Sequence, residues 1–138
     1  MSNFKDNLLE ILKIKEIDSK NFVQKLNLNK NYLYDNNEHS TLLSSAINIA
    51  NELQLSLDFL CDRGTSSETE TKIRSGDKFL ANLLVTLKQL KISQRTFCKS
   101  LNLSTSCFTR WRSGYLPYLS TIIDIAEYLD CSIDDLLI

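Results

Sequence analysis

The chain has 138 residues, of which 43% are hydrophobic and 24% charged, with a net charge of −1; this globular composition leaves room for one ordinary domain or two of about 60 residues each. No apolar run approaches the roughly 20 residues of a membrane span, and the polar start Met1-Ser2-Asn3-Phe4-Lys5-Asp6 has no signal-peptide core, so a cytoplasmic protein with no membrane association is expected. Three Gly, one Pro and one His exclude a glycine-rich phosphate loop, argue against a turn-rich all-β fold and leave little scope for histidine-based catalysis or zinc binding.

The chain repeats itself. At an offset of 75, Asn7-Leu8-Leu9 falls on Asn82-Leu83-Leu84, Phe22 on Phe97 and Leu26-Asn27-Leu28 on Leu101-Asn102-Leu103. After one inserted residue the offset is 76. Leu43-Ser44 then falls on Leu119-Ser120, and Leu53, Ser56, Asp58 and Leu60 on Leu129, Ser132, Asp134 and Leu136. The pattern predicts two copies of one all-α fold, with limits at 1–62 and 77–138 and a linker over 63–76. Each copy is read as five short helices.

In the first copy, Asp18 to Leu28 keeps the apolar spacing of its counterpart, and Asn27 is placed to close a helix in the left-handed conformation. The stretch from Asp62 to Lys72 contains no apolar residue. It has nothing to bury and reads as a flexible linker.

In the second copy, Phe79, Leu80, Leu83, Leu84, Leu87 and Leu90 recur at spacings of three and four, predicting a helix over 77–91. Ser93 is a candidate N-cap for a helix over 94–101 with Phe97, Cys98 and Leu101 inward. Asn102 closes it. Ser104 is a candidate cap for a helix over 105–112, with Cys107, Phe108 and Trp111 on one face and Thr105, Ser106, Thr109 and Arg110 on the other. Gly114 and Pro117 stop it. A helix over 118–129 follows, with Leu119, Ile122, Ile123, Ile125, Ala126 and Leu129 inward. Ser132 and Asp135 then form a capping arrangement that opens a short helix over 133–137, while Asp134 and Asp135 suit its dipole.

The run Ser93-Gln94-Arg95-Thr96-Phe97-Cys98-Lys99-Ser100-Leu101-Asn102-Leu103-Ser104-Thr105-Ser106-Cys107-Phe108-Thr109-Arg110-Trp111-Arg112-Ser113-Gly114 resembles the helix-turn-helix of the lambda-repressor-like (Cro/XRE) family. The segment from Pro117 to Leu137 resembles that family's fourth and fifth helices. Departures are Cys98 where Ala is usual, Asn102 where Gly is usual, and Arg112 where Glu is frequent. The resemblance implies two tandem five-helix domains, the first degenerate, in a DNA-binding transcriptional regulator of phage or prokaryotic repressor type. It implies that Gln94 meets the DNA backbone, that Thr105, Ser106 and Arg110 face bases, and that Ser104 and Thr109 lie near phosphates or base edges. Arg95, Lys99 and Arg112 add cations to the same surface. An exposed guanidinium can bond bidentately to guanine O6 and N7, and short hydroxyls allow close approach. In the first copy the matching segment runs from Lys30 to Glu38, with Asp35 in place of Arg110 and Asn36 in place of Trp111.

Charge placement agrees with this. From Lys78 through Ile123 there are seven Lys or Arg and no Asp or Glu, whereas residues 1–62 hold six Lys against nine Asp or Glu, a balance of −3. A basic half that coincides with the helix-turn-helix suits phosphate binding. The expected partners are double-stranded DNA and a second copy of the chain in a homodimer, since one short recognition helix buries little surface. No cofactor, metal or small-molecule substrate is expected, and His39 has no catalytic partner in register. The alternative is a protein-interaction module, an antitoxin or regulatory adaptor on the same fold. The four cysteines, Cys61, Cys98, Cys107 and Cys131, lack zinc or redox spacing and read as reduced, small buried hydrophobes.

Overall fold

The computed structural model describes residues 4–28, 32–34, 42–61 and 75–138. Among them the regular structure is helical, and the one β pairing is an isolated antiparallel bridge between Leu42 and Tyr118. The amino-terminal half contains α1 (Phe4–Ile14), α2 (Ser19–Lys25), a 3₁₀ turn at Tyr32–Tyr34, α3 (Leu43–Leu53) and α4 (Leu57–Leu60). The carboxy-terminal half contains a 3₁₀ turn at Gly76–Lys78, then α5 (Phe79–Gln89), α6 (Gln94–Ser100), α7 (Cys107–Arg112), α8 (Leu119–Leu129) and a closing 3₁₀ turn at Asp134–Leu136. No helix among the described residues is long and apolar enough to cross a membrane.

Burial follows the sequence period. Phe4, Leu8 and Leu12 of α1 are buried, and 75 residues later so are Phe79, Leu83 and Leu87 of α5. Phe22 and Val23 of α2 match Phe97 and Cys98 of α6, and Leu43, Ile49 and Leu53 of α3 match Leu119, Ile125 and Leu129 of α8 at 76 residues. The backbone repeats as well. Six non-glycine residues have positive φ: Glu16, Asn27 and Gln54 in one half, and Lys91, Asn102 and Asp130 at 75, 75 and 76 residues further on. At each the following amide bonds a carbonyl five residues back, as Leu28 N does to Val23 O and Leu103 N to Cys98 O, both at 2.8 Å. This Schellman closure satisfies carbonyls that the helix end would otherwise orphan.

Some boundaries and burials differ from the sequence reading. Leu90 is exposed because α5 ends at Gln89 and Leu90 is its C-cap. Ile123 and Leu101 are half-buried rather than fully inward. The expected linker lies outside the described residues up to Arg74, but its last two residues belong to the fold: Ser75 N bonds Leu137 O at 2.9 Å, and Ser75 Oγ accepts from Asp77 N at 3.2 Å. A Cβ on Gly76 would stand 2.5 Å from Leu116 Cδ1, so this turn packs too closely for a side chain without a shift of Leu116.

The two halves pack on each other. The buried apolar residues of both form one continuous cluster, and α3 contacts α8. Polar bonds join them too. The buried carboxylate of Asp58 accepts from Ile133 N at 2.8 Å and Asp134 N at 3.1 Å. In return Asp134 accepts from Leu57 N at 3.3 Å and from the Ser56 hydroxyl at 2.5 Å. The sequence reading gave Asp134 to its own helix start. It does stand in the first turn of that 3₁₀ helix, and it also binds the first amide of α4 in the other half, while Ser132 and Asp135 cap their own turn: Asp135 N donates to Ser132 Oγ at 2.9 Å and Ser132 N to Asp135 Oδ2 at 3.4 Å.

Burial pushes the Asp58 carboxyl above the ordinary carboxylate value, although its two backbone N–H donors pull the other way. The folded state therefore holds the Asp58 proton more tightly than the unfolded chain. Asp58 favours the fold below the ordinary carboxylate pKa, and that contribution is lost as pH rises through its raised folded value. Urea midpoints are expected to fall across this window and to flatten in Asp58→Asn. Asp58→Ala strands two N–H groups, one of them on fully buried Ile133, and is expected to cost about 1–3 kcal/mol.

Candidate nucleic-acid interface

The surface is built from α6, the turn after it, and α7. Ser93 sits in extended backbone and its hydroxyl accepts from Thr96 N at 3.1 Å, so it caps α6 as its position suggests. Asn102 closes α6 with φ 56°. Three buried side chains, Cys107, Phe108 and Trp111, hold α7 against the core. The Trp111 indole meets Phe79 edge-on at 5.1 Å between ring centroids and Phe108 at 5.1 Å, and Phe108 meets Phe97 at 5.7 Å. These aromatic contacts fix α7 relative to α5 and α6. Gly114, with φ +102° and open space where a Cβ would stand, ends α7; the constraint there is backbone conformation, not room.

With the apolar face turned inward, the polar face is left outside. Gln94, Arg95, Lys99, Ser104, Thr105, Ser106, Thr109, Arg110 and Arg112 are all exposed. Among the described residues, none of the four cations in this set is ion-paired, whereas Lys25 of the other half is paired with Glu52. The surface differs from expectation in one place. The regular helix starts at Cys107, so Thr105 and Ser106 lie in the turn that enters it. Ser104 Oγ accepts from Ser106 N at 3.3 Å and bonds Ser106 Oγ at 2.8 Å, and this local hydroxyl turn competes with the helix for the first two residues. Sequence reasoning also missed Tyr115, 69% exposed just beyond α7. A lone aromatic in a loop gives no periodic signal.

Residues 82–138 match the family model of the Cro/C1-type HTH DNA-binding domain. The match supports a Cro/C1-type helix-turn-helix over these residues, where α6, the turn after it and α7 lie. Neither a curated protein nor a solved structure matches the chain. The general function this match supports is that of a DNA-binding regulator. The corresponding segment of the first half, from Lys30 to Glu38, lies outside the described residues except for Tyr32–Tyr34, and His39 lies outside them as well.

None of the four cysteines is in a disulfide. Cys98 of α6 and Cys107 of α7 approach to 3.7 Å between sulfurs inside the helix-turn-helix, a proximity their separation in sequence does not reveal. Burial, with the Cys98 thiol adding to it, pushes the Cys107 thiol up to about 11. The thiolate is the reactive form. At neutral pH, iodoacetamide is expected to label half-buried Cys61 and Cys131 before Cys98 and Cys107, with Cys107 reacting only as the pH nears its raised value. Mass-spectrometric peptide mapping of a labelling time course reads this directly.

Proposed function

We propose that the chain is a transcriptional regulator, of phage or prokaryotic repressor type, that binds specific double-stranded DNA with α7 in the major groove. The observation that carries this is a set of exposed cations, in a run from Lys78 through Ile123 that has no Asp or Glu, on a segment that matches a DNA-binding family. Gln94, Arg95 and Lys99 are assigned to the phosphate backbone, and Thr105, Ser106, Thr109, Arg110 and Arg112 to bases and their flanking phosphates. Ser104 serves the turn and lies beside the backbone. This is a binding role in the cytoplasm, and it calls on no catalytic group or cofactor.

We read residues 1–62 and 77–138 as two copies of one helix-turn-helix unit. The matched left-handed residues and matched buried positions support that reading. The first copy carries the acidic balance and is assigned an auxiliary or pairing role. Two units double the reading surface. A homodimer is one way to obtain two, and the contacts between the halves offer another.

The protein-interaction reading, an antitoxin or adaptor, is separated by one experiment. The full chain is titrated into duplex of random sequence and then into duplexes selected from a random pool, at two salt concentrations. Salt-sensitive retention of both, tighter for the selected duplexes, is the expected result. Absence of retention at low salt would retire the DNA reading in favour of the interaction module.

A further inference from the structure

The contacts between the halves are reciprocal. Asp58 accepts from the amide of Ile133, and Asp134, 76 residues after Asp58, accepts from the amide of Leu57, 76 residues before Ile133. Leu42 bridges Tyr118, its own equivalent at the same separation. Helix α3 packs on α8, again its equivalent. Residue i meeting j while the equivalent of j meets the equivalent of i is the mark of a two-fold interface. In a homodimer two chains supply the two sides. Here one chain supplies both, and the surfaces on the axis are already covered.

Resting on the DNA-binding reading of α6 and α7, we propose that the protein is a self-paired unit that binds duplex DNA as a single chain, on an asymmetric site with one strongly and one weakly held half. A two-fold rotation leaves height along its axis unchanged. Helices α2 and α6 therefore take one level along that axis, as two helices laid on the backbone of one duplex must. The distance suits this. Six residue steps lead from Arg112 to the bridge at Tyr118, so the end of α7 lies at most about 20 Å from that bridge. Two such units can then meet half-sites spaced about 34–36 Å apart. A cleft of about 350 Å³ lined by both Leu42 and Arg110 places the axis beside the recognition helix. The asymmetry is in the charges. Where α6 offers Gln94, Arg95 and Lys99, the matched positions of α2 are Ser19, Lys20 and Gln24, one cation instead of two, and neighbouring Lys25 is paired with Glu52.

The test is a Leu42→Cys/Tyr118→Cys variant. Both positions are about half exposed, so the exchange leaves the core intact, and facing residues of an antiparallel pair lie roughly 4.5–5.5 Å apart at Cα, within disulfide range. The variant is oxidised over a range of protein concentrations and the link mapped by mass spectrometry. Sedimentation equilibrium is then run on the wild type and the linked variant, alone and with selected duplexes of roughly 20 base pairs, about two helical turns. The expected result is a 42–118 link inside one chain, formed at a rate independent of concentration, with one chain per duplex before and after closure. A 42–118 link between chains, or none, overturns self-pairing. Two chains per duplex overturns the single-chain unit and leaves the DNA reading standing. No duplex binding by the wild type, with the internal link formed, overturns the DNA reading and the asymmetric site with it.

Discussion

Trp111→Ala is expected to destabilise the protein by about 3–5 kcal/mol, the usual cost of removing a large buried aromatic side chain. The indole is 8% exposed and meets Phe79 and Phe108 edge-on. Its removal forfeits the transfer free energy of the ring and leaves a cavity that short α7 cannot collapse to fill. The edge-on contacts add roughly 0.5–1.5 kcal/mol per aromatic pair. Against a total stability of about 5–15 kcal/mol for a typical domain, this is a large fraction. Trp111 is the single tryptophan, so urea unfolding of wild type and variant is followed by far-ultraviolet circular dichroism instead of fluorescence. Trp111→Phe keeps a ring against Phe79 and is expected to lose much less. A change below about 1 kcal/mol on Trp111→Ala would place the indole outside the core and make it a contact residue.

How much of this was legible in the sequence depends on how far apart the interacting groups lie. Ser93, Asn102 and Gly114 were readable because a cap or a left-handed closure involves groups within about five residues of one another. The buried faces of α5 through α8 were readable because helical period and burial coincide. The start of α7 was not, since Ser104, Thr105 and Ser106 suit both a hydroxyl turn and a first helical turn, and the bond between Ser104 and Ser106 decides between them. Left-handed Glu16, Gln54 and Lys91 were not, because these residue types carry no preference for that conformation, and the closing bond from the next amide is what holds them there. Asp58 and Asp134 were the largest omission. Each resembles an ordinary helix-start acid, and only the packing of halves some 75 residues apart shows that each serves the other's helix. The candidate interface was legible as a set of exposed residues, while its relation to the rest of the chain was not.

Arg110→Ala is expected to cost about 1–3 kcal/mol of affinity for a selected duplex and to relax preference at one base pair, the signature of a lost bidentate contact to a base. Lys99→Ala, at a position matched to the backbone, is expected to weaken all sequences alike and to flatten the salt slope by about 0.9 unit, the counterions released by one phosphate. The two variants therefore separate reading from holding. Both side chains are exposed, so unchanged circular dichroism is expected and a loss of binding is not a loss of fold. Arg110→Asp is the harsher test, because it places a negative charge where the groove and its phosphates are negative. It should abolish preference and reduce what nonspecific binding remains at every salt concentration. The first half supplies the comparison from within the same chain: Lys20→Ala, on the matched face of α2, removes the cation equivalent to Arg95 and is expected to matter less than Arg95→Ala, since its half carries the acidic balance. If Arg110→Asp left affinity, preference and salt slope where they were, α7 would not lie in the groove. The exposed face of α6 and α7 would then be a docking surface for an acidic protein, and the interaction-module reading would account for its basic charge.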